Sequence, residues 1–418
     1  MRAGGATRTW GGALARSGRI GLAGLAGALL CVNVAAAQST EPDPWEQARW
    51  RFGPLAVTPT VQLRNLGVDT NVFNSVDDPK KDFTTTVAGG ADWWLRLGRA
   101  RLLGTDVVEG VYFATYASER SINYFHRLTF EYPLNRIRPY AGGSYVNTKD
   151  RPGYEIDARA RHTEWGTRAG VAIRATGKTT FDISAGQIDY TFDGDATFEG
   201  TYLAEILNRR AQALTGQVRY KLTPLTTLTL SASTERERFD DTPERDSNGF
   251  RLLPGIELAK LALITGTAQV GYRQLNMLSP AIPDYSGAVA AVSLGYLLAG
   301  TTRFTVGVDR DIQYSFEIDQ PYYVLTGVSG SITRVVGLGW DVVVRGANQR
   351  LAYRETANVS ESVAGRVDRV VSWGGGVGYR LSQGSRVGFN VDYFSRRSPI
   401  YNRDYEGLRA GLAVTYDF

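Results

Sequence analysis

The sequence predicts an all-β protein, a transmembrane up-and-down antiparallel β-barrel of about 18 strands, from two repeating features. From Leu55 onward, segments of about ten residues alternate apolar residues with small or polar ones, which is the pattern of strands with two different faces. Short breaks between these segments alternate with long polar breaks, as in a meander whose two rims face different compartments. After the first forty positions no run of 18 apolar residues occurs, so helical membrane spans are not expected.

The strand count follows from the segments. The predicted strands begin near Leu55, Thr84, Arg101, Ile122, Ile137, His162, Thr179, Ala211, Leu225, Phe250, Leu263, Gly287, Thr302, Tyr322, Gly337, Val367, Arg386 and Tyr405. An even number places both termini on the periplasmic side. Sixteen strands is the alternative, because the alternation is poor in the second and third segments.

The two faces of each predicted strand differ in chemistry. In one segment, Leu228 and Leu230 alternate with Thr227 and Thr229. A soluble sandwich would also alternate, with its apolar face inward. Here, however, the polar faces are rich in glycine and alanine, which would fill a core poorly but suit the wall of a water-filled lumen. Tryptophans and tyrosines fall mainly on the apolar face, many near strand ends, as in the aromatic girdles of membrane barrels.

The N-terminal region has the features of an export signal: four arginines, a short apolar stretch and an Ala-Ala-Ala site. We expect a signal peptide over 1–37, a periplasmic N-terminal arm over 38–54 and the barrel over 55–418. A retained membrane anchor is disfavoured because the apolar stretch is short. Cleavage lowers the formal net charge from +5 to +1 and removes the only cysteine, Cys31, so no disulfide and no nucleic-acid partner are expected.

The chain ends in "GLAVTYDF", in which Ala410, Leu412, Val414 and Tyr416 alternate behind Phe418. This ending resembles the C-terminal strand that the outer-membrane assembly machinery recognises, with Tyr416 and Phe418 as the expected assembly signal. The expected partners are therefore outer-membrane lipid, lipopolysaccharide and that machinery.

Candidates for catalysis are few. A hydrolase would need an activated nucleophile or water, usually with a histidine as base. The only histidines are His126 and His162, which the pattern places in the outer halves of the fourth and sixth strands, at the wet rim. The acids Asp189, Asp193 and Asp195 lack the downstream ligands of a calcium loop. We expect no enzyme activity, no cofactor and no metal site.

The predicted lumen face carries basic and acidic residues in near balance, but some basic residues gather toward the periplasmic rim. These residues are Arg96, Arg138, Arg174, Lys221, Arg303, Arg380 and Arg386. Rings of charge select ions in pores, and a basic entrance favours an anionic solute. The alternative is that inward arginines pair with inward acids across strands and stiffen the wall.

The stretch "TYLAEILNRRAQ" breaks the alternation inside a long loop. Leu203, Ile206 and Leu207 stand at i, i+3 and i+4, which predicts one or two helical turns. These turns either fold inward as a constriction or cap the barrel.

The first predicted strand ends in "GVDTNVFN". We expect Asp69, Thr70 and Asn71 to terminate the strand, accept backbone hydrogen bonds and tie the first loop to the wall. The stretch from Gly67 to Phe73 resembles the Asp-x-Asn-Val-Phe segment of the outer-membrane β-barrel porin family that includes barrels encoded with exopolysaccharide biosynthesis operons. Val68 departs from the tyrosine that this family often has there.

The resemblance would cover the whole mature chain and implies an outer-membrane channel without catalytic residues. Three functions follow from it and from the pattern. The first is a passive channel for export of an exopolysaccharide, and the second is a general or solute-specific diffusion porin. The third is a non-conducting surface-binding or structural barrel whose loops close the lumen. A transporter with a plug domain is disfavoured, because only residues 38–54 are available before the first strand.

Overall fold

The computed structural model describes Trp45 and residues 48–259, 262–356, 364–382 and 384–417, which form one closed antiparallel barrel. Its strands are β1 Leu55–Asp69, β2 Asp82–Leu97, β3 Ala100–Phe113, β4 Ser121–Glu131, β5 Ile137–Asp150, β6 Ala160–Arg174, β7 Thr179–Phe192, β8 Arg209–Thr223, β9 Thr226–Phe239, β10 Ser247–Leu258, β11 Ile264–Met277, β12 Tyr285–Leu298, β13 Thr302–Tyr314, β14 Tyr322–Gly337, β15 Trp340–Arg354, β16 Val367–Arg380, β17 Ser385–Arg397 and β18 Tyr405–Asp417. All 18 predicted starts lie within three residues of these, so the prediction is confirmed and the 16-strand alternative is wrong.

The barrel closes where β1 pairs with β18. The ladder runs from Thr60 opposite Asp417 to Asp69 opposite Arg409. Its register shifts near Asn65, whose backbone has a φ of 54°; asparagine tolerates this left-handed conformation better than most residues. Beyond the shift, odd-numbered residues of β1 point into the lumen instead of even-numbered ones. Asp69 therefore lies on the inward face and is buried.

The two rims differ in the length of their connections. Short turns follow every even-numbered strand from β2 to β16. They lie at the periplasmic rim, where β1 begins and β18 ends. The described parts of nine longer loops form the opposite rim, which we name the outer mouth. They are L1 (70–81), L2 (114–120), L3 (151–159), L4 (193–208), L5 (240–246), L6 (278–284), L7 (315–321), L8 (355–366) and L9 (398–404). The pattern of short and long breaks therefore predicted the two rims correctly.

The outward surface is apolar. On β9, Leu228 and Leu230 are 41% and 46% exposed, whereas Thr229 and Ser231 on the other face are buried. Large aromatic side chains such as Trp373 also stand exposed on this surface. A belt of exposed apolar side chains around a barrel is a lipid-facing surface. No helix in the described part of the chain is long and apolar enough to cross a membrane.

One hairpin leaves the wall near the outer mouth. The β12–β13 ladder stops at Ala290 opposite Arg310, but β13 and β14 stay paired up to Tyr314 opposite Tyr322. Beyond the split, Ile312, Tyr322 and Val324 share a buried cluster with inward residues of β10 to β12, which are Leu253, Leu275, Met277, Tyr285 and Val289. The tip of the β13–β14 hairpin therefore leans into the lumen and narrows it.

The chain before β1 folds against the periplasmic end of the wall. A short strand, Trp50–Phe52, pairs with the start of β1. The Trp45 ring lies between the guanidinium groups of Arg51 and Arg96, which are 4.9 and 4.7 Å from its centroid. The predicted signal peptide and Phe418 lie outside the described residues.

Candidate functional site in the barrel lumen

The outer half of the lumen wall carries an ion quartet, which we define as Glu235, Arg251, Arg273 and Asp311. Arg273 donates to Asp311 at 2.6 Å and forms an ion pair with Glu235 at 2.8 Å, and Arg251 forms ion pairs with the same two carboxylates at 3.0 and 2.9 Å. The quartet links β9, β10 and β11 to the leaning β13. Two cations facing two anions leave no net charge, so the quartet holds the hairpin in place rather than attracting ions.

The seven basic residues predicted at the periplasmic rim all lie on inward positions, but their surroundings differ. Arg138 binds both oxygens of Glu131 at 3.1 Å. Arg380 and Arg386 share the buried Asp341, at 2.9 and 2.7 Å. For these three residues the predicted alternative, cross-strand pairing that stiffens the wall, is what the structure shows.

The other four rim residues are placed differently. Arg174 donates to the backbone oxygen of Asn135 at 2.7 Å, and neither Arg174 nor Arg303 forms an ion pair with a described residue. Arg96 lies over the Trp45 ring, and Lys221 occupies an inward position on β8. Arg174 and Arg303 are therefore the rim charges that remain available to a solute.

The outer mouth is crossed by loops from opposite sides of the barrel. Glu155 in L3 accepts from the Ser315 hydroxyl at 2.7 Å and from the Phe316 backbone N–H at 3.2 Å, both in L7. L3 follows β5 and L7 follows β13, eight strands apart in a barrel of 18. A contact between them must cross the lumen, so the mouth is closed along this line.

An apolar cluster fills the space beneath this crossing. We name it the mouth cluster and define it by Ile156, Leu203, Ile206, Leu207 and Phe316, which come from L3, L4 and L7 and are all buried. The three L4 residues belong to the helix Leu203–Leu207. The predicted helical turn is thus confirmed, and it packs into the loop assembly across the mouth.

Buried arginines hold the loops of the mouth together. Arg396 on β17 donates to the Glu155 backbone oxygen at 2.8 Å and pairs with Asp157 at 3.0 Å and with Asp368. Arg403 in L9 donates to the same Glu155 oxygen at 2.6 Å. The side chains of Arg396 and Asp368 are fully buried, and breaking such a buried pair is strongly destabilising because it strands the other charge.

Two loop residues of this assembly have shifted pKa values. Burial raises the pKa of Glu155, although Ser315 and the nearby arginines oppose that shift. Burial lowers the pKa of Arg245 in L5 to about 10. The Arg245 guanidinium stays charged at neutral pH and donates to the backbone oxygens of Ser315 and Glu317, each at 2.6 Å.

The motif at the end of β1 makes the contacts expected of a boundary. Asp69 accepts from the Asn71 backbone N–H at 2.9 Å and from Arg409 at 2.7 Å. The Thr70 hydroxyl accepts from the Leu408 backbone N–H at 2.8 Å, and the Asn71 side-chain amide donates to the Glu406 backbone oxygen at 2.9 Å. These side chains fasten L1 to β18 across the closing seam.

The two histidines lie in unlike places, and the prediction for each needs correction. His162 does lie on β6 near the outer mouth, but it is buried and stacked on Phe192 instead of being solvated at the wet rim. His126 lies at the midpoint of β4, not in its outer half, because β4 extends only from Ser121 to Glu131. It pairs with Asp106 on the outward face.

The residues that close the mouth escaped sequence reasoning. Glu155 lies in the polar loop L3 and Phe316 in the loop L7, and neither belongs to a periodic pattern of apolar residues. The apolar residues within "YEIDA" and "SFEI" were the only local indication that these loops are packed. Among the described residues, no group of three or more histidines, cysteines, aspartates and glutamates could hold a metal ion.

A closed 18-stranded sheet with an apolar outer surface and a charged interior defines an outer-membrane β-barrel of the porin type. The chain belongs to the family described as Putative beta-barrel porin 2, whose model matches residues 138–418. A search of the curated proteins found no match.

Several solved structures resemble the barrel weakly. Acinetobacter baumannii OccAB4 is 9% identical, with 87% of this chain and 98% of that chain covered and a TM-score of 0.46. Pseudomonas aeruginosa OpdK is 12% identical, with 87% and 98% covered and a TM-score of 0.47. Pseudomonas aeruginosa OccK2 (OpdF) is 12% identical, with 87% of this chain and 97% of that chain covered and a TM-score of 0.48. Similarity this weak carries no argument about solute or mechanism.

Proposed function

We propose that this porin is a passive, solute-specific diffusion channel for small anionic solutes, and that its loops hold the outer mouth in a closed state that opens transiently. The observation that carries the proposal is the Glu155 to Ser315 crossing, with the mouth cluster beneath it. A gap that packed loops can open suits a small solute better than a continuous polymer. The comparisons do not support exopolysaccharide export.

The anionic preference rests on the periplasmic rim. Arg174 and Arg303 face inward without a carboxylate partner among the described residues, whereas Arg138, Arg380 and Arg386 are paired. Unpaired inward cations raise the local concentration of anions in a narrow, low-dielectric passage. No catalytic role is needed for any of these residues.

Ion selectivity of the refolded protein in planar bilayers tests the channel. Under a KCl gradient we expect an anion-selective reversal potential that moves toward zero in the Arg174→Gln/Arg303→Gln variant. Lys178→Gln, which removes one exposed positive charge from a turn at the same rim, is the control and should change little. Absence of conductance in all three proteins would favour a non-conducting structural barrel, and an unchanged potential would remove the anionic preference.

We also propose lipopolysaccharide as a neighbour of the outward surface. Lys149 lies directly opposite Arg161 at the outer ends of their strands, and neither side chain forms an ion pair with a described residue. Like charges in directly opposed positions repel, and lipid phosphates between them would relieve that repulsion. The assembly machinery remains the proposed partner of the C-terminal strand.

A further inference from the structure

The outward face of β2 to β4 carries a polar cluster where apolar side chains would be expected. We name it the lateral cluster and define it by Trp93, Asp106 and His126. Trp93 donates its indole N–H to Asp106 at 2.6 Å, and His126 Nδ1 contacts the other carboxylate oxygen. The side chains of Asp106 and His126 are both 44% exposed, so the pair is open to whatever surrounds the barrel.

The depth of the cluster follows from the length of β4. Its eleven residues match the 9–11 residues that a tilted strand needs to cross the bilayer. His126 is the middle residue, and the outward Tyr124 and Phe130 lie above and below it with 44% and 42% of their surfaces exposed. The lateral cluster therefore lies inside the apolar band, between the positions of the two aromatic girdles.

The outward positions around the cluster are occupied by glycines, so few side chains protrude there. Gly89 and Gly104 occupy outward positions on β2 and β3; a Cβ at Gly104 would collide with the Trp93 ring, and one at Gly89 would meet nothing within 4 Å. Gly110, another outward glycine on β3, extends this region without side chains toward the outer mouth. The same residues explain why the predicted alternation is poor in the second and third strands, and they would let another protein surface approach closely.

Lipid is a poor neighbour for this face. Ionisable side chains on the lipid-facing surface of a barrel destabilise it, most of all near the midplane. Asp106 uses both oxygens within the cluster, but no described residue contacts Nε2 of His126. The cluster thus satisfies part of its hydrogen-bonding capacity and leaves a polar group pointing away from the wall.

A second copy of the chain supplies the missing partner. The face carries both an acceptor, Asp106, and a ring that donates or accepts, His126, so it is complementary to itself. Each Asp106 oxygen makes one contact within the cluster and keeps a second lone pair. About a two-fold axis, each copy would offer such a lone pair to the imidazole of the other, which is the reciprocal contact of an isologous interface. We propose that two copies associate in the membrane through the outward face of β2 to β4, centred on the lateral cluster.

Disulfide cross-linking in outer membranes tests this interface. On a Cys31→Ser background, Val108→Cys places a thiol beside the cluster, and Val306→Cys places one on the outward face of β13, ten strands further round the barrel. The two valines are 46% and 50% exposed. Mild oxidation should give a homodimer with Val108→Cys and none with Val306→Cys. Equal products from both, no product from Val108→Cys, or an adduct with a different protein would overturn the proposal.

A second comparison asks whether the polar cluster itself drives association. Adding Asp106→Leu and His126→Leu to Val108→Cys should abolish the dimer, while the heat-dependent shift in gel mobility shows that the barrel is folded. If the dimer persists in this folded variant, the cluster does not form the interface. Should the leucine variant fail to fold, Asp106→Asn replaces it, with a reduced dimer yield expected and an unchanged yield contradicting the proposal.

Discussion

Truncation of Leu203 tests the closed outer mouth directly. Its side chain is fully buried in the mouth cluster, together with Ile156 and Phe316 from the other two loops. Replacing a buried leucine with alanine costs about 2–5 kcal/mol. Because L4 lies outside the hydrogen-bonded wall, we expect this cost to fall on the closed arrangement of the loops and to leave the barrel intact.

The expected change in gating follows from that free energy. At about 1.4 kcal/mol per factor of ten, Leu203→Ala should raise the ratio of open to closed mouths by roughly 30-fold to 4,000-fold, until the open state predominates. Single-channel recordings in planar bilayers measure this ratio as the fraction of time spent conducting.

The control is Ile318→Ala in L7, since Ile318 is 66% exposed and outside the mouth cluster. It should leave the open fraction close to that of the unmodified protein. A Leu203→Ala barrel that folds normally, as judged by heat-dependent gel mobility, yet keeps its open fraction would show that the mouth cluster does not hold the lumen closed.

Three further predictions concern charge and hydrogen bonding. Because burial raises the pKa of Glu155, its stabilisation of the closed mouth is present at low pH and is lost as the pH rises through that raised value; Glu155→Gln should remove this pH dependence from the open fraction. Arg273→Met leaves the buried Glu235 and the half-buried Asp311 to share Arg251, so urea unfolding followed by tryptophan fluorescence should show a loss of about 3–5 kcal/mol. Asp69→Ala with Asn71→Ala removes hydrogen bonds worth about 1 kcal/mol each and should lower the melting temperature without changing conductance; lost conductance in a folded barrel would make the motif functional.

The sequence predicted the barrel well because lipid and water act on alternate residues of every strand. A period of two is therefore imposed on most of the chain, and the strand starts could be placed to within three residues. The second and third strands were the weak point. Gly89, Gly104 and Asp106 lie on their outward faces, and the structure traces the weak alternation to the lateral cluster rather than to missing strands.

The closed mouth could not be predicted, for physical reasons. Glu155 and Ser315 are separated by 160 residues, and no local periodicity reports a hydrogen bond between two loops. The split between β12 and β13 is likewise set by packing across the lumen, so alternation alone assigns Ile312 to the lipid-facing side although it is buried.

The outer mouth affects conduction through the packing of its loops, and the periplasmic rim affects it through charge. Mutations at the two ends should therefore change different properties of the channel. At the outer mouth the charges are buried and paired, as in Arg396 with Asp368, and they fix the shape of the loops without contributing a long-range field. At the periplasmic rim, Arg174 and Arg303 act through charge because no described carboxylate neutralises them. Loop variants should therefore change the open fraction and keep the reversal potential, and rim variants should do the reverse. A loop variant that shifted both quantities together would mean that the loops also form the selectivity filter.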